Sequence, residues 1–123
     1  MKPTLKNIGS QVIVLTGASS GVGLVTARKA AQQGARLVLV ARSEGSLHQL
    51  AEELREHGNE VITVVADVGK HEEVGKVAQA AIERFGGFDT WINNAGVTIF
   101  GRHCDVPLED QRRLFDTNYW GTV

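Results

Sequence analysis

Cysteine is nearly absent from this chain, with one residue, Cys104, in 123. That excludes an internal disulfide and makes a reducing compartment, the cytosol, the expected one. His103 precedes Cys104, but adjacency in sequence does not make a nucleophile–base pair, and Cys104 reads as a small loop or core residue. An excess of either charge is missing too. Thirteen Lys and Arg stand against fourteen Asp and Glu, a formal net charge of -1, so the chain lacks the basic footprint of a nucleic-acid binder. Its apolar runs span only a few residues, far short of the roughly 20 needed to cross a bilayer. The start, Met1-Lys2-Pro3-Thr4-Leu5-Lys6, has no apolar leader segment. Internal repeats, low-complexity tracts and signs of a second domain are also lacking. A hydrophobic content of 42% is enough for a core, and one domain over residues 1–123 is expected.

What is present is alternation. Gln11–Thr16, Arg36–Ala41, Val61–Ala66 and Thr90–Asn93 read as strands. The first three are almost continuously apolar, as when helices cover both faces of a parallel sheet. Helix-period segments lie between them at Val22–Gln33, Ser46–His57 and Glu72–Phe85. Each runs into a glycine, Gly34, Gly58 or Gly86, suited to a left-handed C-cap. Leu47, Leu50 and Leu54 share one face of the second helix. Gly75 falls inside the third, at a cost of roughly 1 kcal/mol against alanine. A fourth helix is expected from about Pro107, with Glu109 and Asp110 near its positive end. Right-handed crossovers turn this order into an α/β fold, a doubly wound, Rossmann-type parallel sheet in three α/β/α layers with strand order 3-2-1-4. Ligands bind such sheets where the winding reverses, here between the first and fourth strands.

The first strand leads into Thr16-Gly17-Ala18-Ser19-Ser20-Gly21-Val22-Gly23. A glycine-rich turn that opens a helix lets the backbone approach a phosphate, with free N–H groups and the helix dipole facing the charge. The spacing G-x-x-x-G-x-G matches neither G-x-G-x-x-G nor the phosphate loop G-x-x-x-x-G-K-[ST], which would need glycine where Val22 stands. Asp67-Val68 ends the third strand, Asn93-Asn94-Ala95-Gly96 closes the fourth, and Asn118 lies in the fourth helix within Phe115–Gly121.

Taken together and in this order, these segments resemble the short-chain dehydrogenase/reductase family over nearly the whole chain. The resemblance implies that Gly17, Ser19, Ser20, Gly21, Val22 and Gly23 line a dinucleotide's pyrophosphate and ribose. It implies further that Asp67 and Val68 meet the adenine, that Asn94, Ala95 and Gly96 flank the adenosine, and that Asn118 is the catalytic asparagine, helping to hold a water in a proton relay. No metal site is implied. Cofactor choice can be argued from charge. Sites selective for NAD place an acid after the second strand, on the ribose 2′-OH. Here Arg42 and Ser43 follow Val40-Ala41, and a guanidinium favours a 2′-phosphate, although Glu44 makes the local charge mixed. NADP(H) is therefore expected over NAD(H).

The family's chemistry also uses a serine and a Y-x-x-x-K pair, in which lysine lowers the tyrosine pKa. The sole tyrosine, Tyr119, is followed at that spacing by Val123 and sits inside the Asn118 segment, so it is rejected as the acid. The reading is thus the N-terminal part of a hydride-transferring enzyme acting on a small carbonyl or alcohol, cut at its C-terminus, inactive by itself and homo-oligomeric at full length. A non-catalytic nucleotide-binding module is the alternative. Two consequences are expected: the fourth strand keeps an uncovered edge, and Val97–Val106, with His103 as a loop residue, forms part of a substrate wall.

Overall fold

The computed structural model describes residues 3–123. Met1 and Lys2, which belong to the leader reading above, lie outside the described residues. Four strands form one parallel sheet: β1 (Val12–Thr16), β2 (Arg36–Ala41), β3 (Val61–Val65) and β4 (Thr90–Ile92). Their order is β3-β2-β1-β4, as the alternating pattern implies. β4 pairs only with β1 among the described residues, so its outer edge is uncovered.

Strand periodicity distributes the core. Ile13, Leu15, Leu37 and Leu39 point to one face, where they meet Ala27 and Ala31 of α1 (Gly21–Gln32) and Leu47, Leu50 and Leu54 of α2 (Glu44–Glu56). Their neighbours Val12, Val14, Val38 and Val40 point to the other, against Val77 and Ala81 of α3 (His71–Phe85). Because successive side chains in a strand alternate faces, a continuously apolar strand is what a sheet covered on both sides needs. Gly34, Gly58 and Gly86 all take left-handed φ angles, 87°, 88° and 81°.

Most boundaries move by a single residue, and two differences are larger. α2 begins at Glu44 rather than Ser46, with Ser43 in the cap position. Leucine periodicity reports only the buried face, and the first turn of α2 is exposed. α4 (Leu108–Phe115) starts just after Pro107, and instead of continuing as an α-helix it passes into a π-helical turn, Asp116–Trp120. There the Gly121 N–H donates to the Asp116 carbonyl, five residues back, at 2.9 Å. Gly75 lies in open space, and nothing around it explains the glycine.

Candidate dinucleotide site

The carboxyl ends of β1, β2 and β3 open into a cleft at the point where the winding reverses. Its lining includes Gly17, Ser19 and Ser20 after β1, Arg42 and Ser43 after β2, Asp67 and Val68 after β3, Ala95, Gly96 and Val97 after β4, and Thr117 from the π-turn. At about 210 Å³ it is smaller than the roughly 300–1,000 Å³ of sites that enclose a small molecule. It is an open trough rather than an enclosed cavity.

The glycine spacing has a separate physical cause at each position. Gly17 has φ +67°, and a Cβ there would lie 2.9 Å from the Ala95 Cα. Gly21 has open space around it but φ +51°, so conformation alone demands glycine. A Cβ on Gly23 would collide with the Gly17 carbonyl. The turn is thus folded back against the end of β4, and α1 starts inside it. Ser20, at the N-cap, makes no side-chain capping bond, and the first turn of α1 carries no acidic residue. Its leading N–H groups and dipole therefore remain available to an anion.

Asn94 fastens the two segments. Its Nδ2 donates to the carbonyls of Thr16 and Gly17, each at 3.2 Å. The buried Thr16 hydroxyl completes the joint: it donates to the Ile92 carbonyl at 3.3 Å and accepts from the N–H groups of Asn94 and Ala95, each at 3.0 Å. Asn94 does not line the cleft, and neither do Gly21, Val22, Gly23 or Asn118. Val22 is 74% exposed at the start of α1.

Asp67 sits beneath α4. Its Oδ1 accepts from the Gly69 N–H at 3.0 Å and its Oδ2 from the Arg113 guanidinium at 2.9 Å, while its own N–H donates to Glu73 at 2.7 Å. Burial pushes the carboxyl pKa up, but the Gly69 N–H, the Arg113 bond and the charges of Arg113 and Arg42 outweigh it, leaving it below the ordinary value. Arg42 itself is exposed and makes no ion pair among the described residues. The Ser43 hydroxyl donates to Ser46 at 3.2 Å.

The Asn118 side chain pairs on both sides with the Val97 backbone. It accepts from the Val97 N–H and donates to the Val97 carbonyl, both at 2.8 Å. Tyr119 is half exposed and packs edge-to-face on Trp120, centroids 5.0 Å apart. His103 and Cys104 lie in an exposed 3-10 turn, with the Cys104 Sγ 3.6 Å from Asp105. Among the described residues no three metal-ligating side chains converge, and no helix is long and apolar enough to cross a membrane.

The sequence alone assigns no role to the Thr16, Arg113 or Thr117 side chains, and it marks Val97 only as the start of the Val97–Val106 wall. Val40, Ala41 and Ala66 also line the cleft, and the rule that ligands sit at strand carboxyl ends was signal enough to find those three. No comparable signal marks the partner choices of Thr16, Arg113 or Asn118, which depend on contacts across 46 to 79 residues or on a loop's return path.

A family model described as short chain dehydrogenase matches residues 11–123. An uncharacterized oxidoreductase of Bacillus subtilis (strain 168), YxnA, is 57% identical over 99% of this chain and 34% of its own length. A short-chain dehydrogenase/reductase from Burkholderia phymatum, solved with NAD, superposes with a TM-score of 0.93 at 37% identity, over 96% of this chain and 42% of that one. L-sorbose reductase from Gluconobacter frateurii, solved with NADPH and L-sorbose, gives 0.86 at 35% identity, over 91% of this chain and 43% of that one. The chain spans about a third of the length of the curated relatives it matches, 34% in the first of them.

Proposed function

The chain belongs to the short-chain dehydrogenase/reductase family, and from that premise we propose that it forms the dinucleotide-binding part of an NADP(H)-dependent oxidoreductase acting in the cytosol. The nicotinamide ring, when bound, supplies or accepts the hydride exchanged with a small carbonyl or alcohol. The observation that carries the reading is the trough itself. Gly17, at φ +67°, and Gly96 bring bare backbone to its lining, Ser19 and Ser20 carry the lining to the uncapped N-terminus of α1, and Arg42 adds a guanidinium that makes no ion pair among the described residues.

The chain's residues divide the work. Gly17, Ser19, Ser20, Gly21, Val22 and Gly23 hold the pyrophosphate against the α1 N-terminus. Asp67 and Val68 meet the adenine edge, Asn94 fixes the turn, and Ala95 and Gly96 leave room for the adenosine. Arg42 and Ser43 take the 2′-phosphate. Arg42 makes no ion pair among the described residues, so a phosphate there gains a charge-assisted bond without breaking one. Asn118, with its amide committed to Val97, orients the loop after β4 and offers its remaining capacity to a water in the proton relay.

Titrating the protein with NADPH and NADH, following reduced-nicotinamide fluorescence, tests this. NADPH is expected to bind more tightly, and Arg42→Ala to weaken NADPH by about tenfold or more, the scale of one charged hydrogen bond, with NADH little changed. Equal affinities in the wild type, or unchanged NADPH affinity in Arg42→Ala, would refute the NADP(H) assignment.

A further inference from the structure

Thr117 carries the single buried side-chain N or O atom without a hydrogen-bond partner among the described residues. It is 5% exposed and lines the cleft beside Val68 and Val97. An unpaired buried hydroxyl is costly, and such groups are rare in native folds. The usual escape for a helical threonine is a bond to the carbonyl four residues back. Thr26 takes it within α1, to Val22 at 2.8 Å, and Thr122, in the turn after Trp120, makes the same four-residue bond to Asn118 at 3.3 Å. Thr117, in the π-turn, does not.

The turn is held there from several sides. A Cβ on Gly121 would collide with the Thr117 carbonyl and stand 2.9 Å from Val68. Arg113, one turn earlier on α4, bonds Asp67 at 2.9 Å. Both Asp67 carboxylate oxygens already accept a bond, from Gly69 and from Arg113. Among the described residues, the buried polar side chain at this end of the trough with its hydrogen-bonding capacity unused is therefore Thr117, not Asp67. Local π-helical turns of this kind recur at functional sites.

We propose that the Thr117 hydroxyl is a direct contact for the adenosine end of the dinucleotide, holding its polar edge through a hydrogen bond made only in the bound state. This deepens the function proposed above and rests on it. A hydroxyl both donates and accepts, so it can serve a ring nitrogen or a sugar oxygen of the adenosine.

The test uses the full chain and two near-isosteric variants, Thr117→Val and Thr117→Ser, with NADPH titration and thermal melting of the nucleotide-free protein. Thr117→Val removes the orphaned hydroxyl at nearly constant shape. It is expected to melt higher than wild type when empty, yet to bind NADPH about five- to tenfold more weakly, the scale of one net hydrogen bond. Thr117→Ser is expected to bind within about twofold of wild type, because it keeps the hydroxyl. A purely structural role would move melting and binding in the same direction, and that result overturns the proposal. So does NADPH binding to Thr117→Val as tight as to wild type. A wild-type protein that binds neither NADPH nor NADH fails earlier, at the dinucleotide reading itself, and takes this proposal with it.

Discussion

Strands β1 and β2 on one side of the cleft and the α4 segment on the other are held by unlike forces. Every residue of β1 is buried, as are five of the six in β2, and alternate side chains feed two apolar cores. α4 buries none of its residues, and its large apolar side chains Leu108 and Phe115, like Trp120 just beyond, are exposed. What fixes that segment is two directional polar contacts, Arg113 on Asp67 and the Asn118 amide on Val97, beside the close approach of Gly121 to Val68. Area-driven burial resists almost any local change by spreading it. A few hydrogen bonds place atoms accurately but yield one at a time. The glycine turn is thus built on the half held by burial, and the wall opposite it on the half held by a few hydrogen bonds.

The largest break in this comparison comes from the apolar half. Leu39→Ala removes a fully buried side chain from β2 and is expected to cost about 2–5 kcal/mol in urea unfolding, with nucleotide binding lost in parallel. A cost well under about 1 kcal/mol would mean that this half does not rest on burial. The next effect belongs to the polar half. Asn118→Ala severs two bonds at an exposed site, for about 1 kcal/mol. The amide of Val97 should then exchange faster while those of β2 keep their protection, since the opening is local. Equal acceleration in both regions would make the two halves one cooperative unit.

The smallest effect sharpens the contrast through pH. The Asp67 pKa is lowered on folding, so its contribution to stability is complete above the unfolded carboxyl's pKa of about 3.9. It is lost as pH falls through the lower folded value. The stability difference between wild type and Asp67→Asn should stay constant from about pH 7 to 5 and narrow below about 4. The difference between wild type and Leu39→Ala should not change with pH at all. A parallel narrowing in both would remove the distinction.

The same division separates what was legible in the sequence from what was not. The sheet could be read because Val12–Leu15 and Leu37–Ala41 are apolar at every position, a pattern that only double-sided burial explains. The trough could be read because glycine at 17, 21 and 23 has no cheaper explanation than positive φ or close approach. The polar half resisted. Asp116–Trp120 is chemically indistinguishable from one more α-helical turn, and the close approach of Gly121 to Val68 that follows it leaves no periodic mark. Arg113 looked like any charged residue on an exposed helix, because its partner Asp67 is 46 residues away in the chain. Glu44 and Gly45 fall outside the helix that the leucine spacing predicts, because the start of α2 faces solvent and leaves no apolar mark.

Thr16 has a consequence for speed. Its hydroxyl ties Ile92, Asn94 and Ala95 to the end of β1, and Asn94 returns the tie to the glycine turn. The trough floor is therefore ordered when the protein folds, not when a ligand arrives. An entering dinucleotide has no loop to assemble beneath its phosphates, which lowers the entropic cost of capture. Arrival at that floor is then set by diffusion and charge steering, and its salt dependence would come from Arg42.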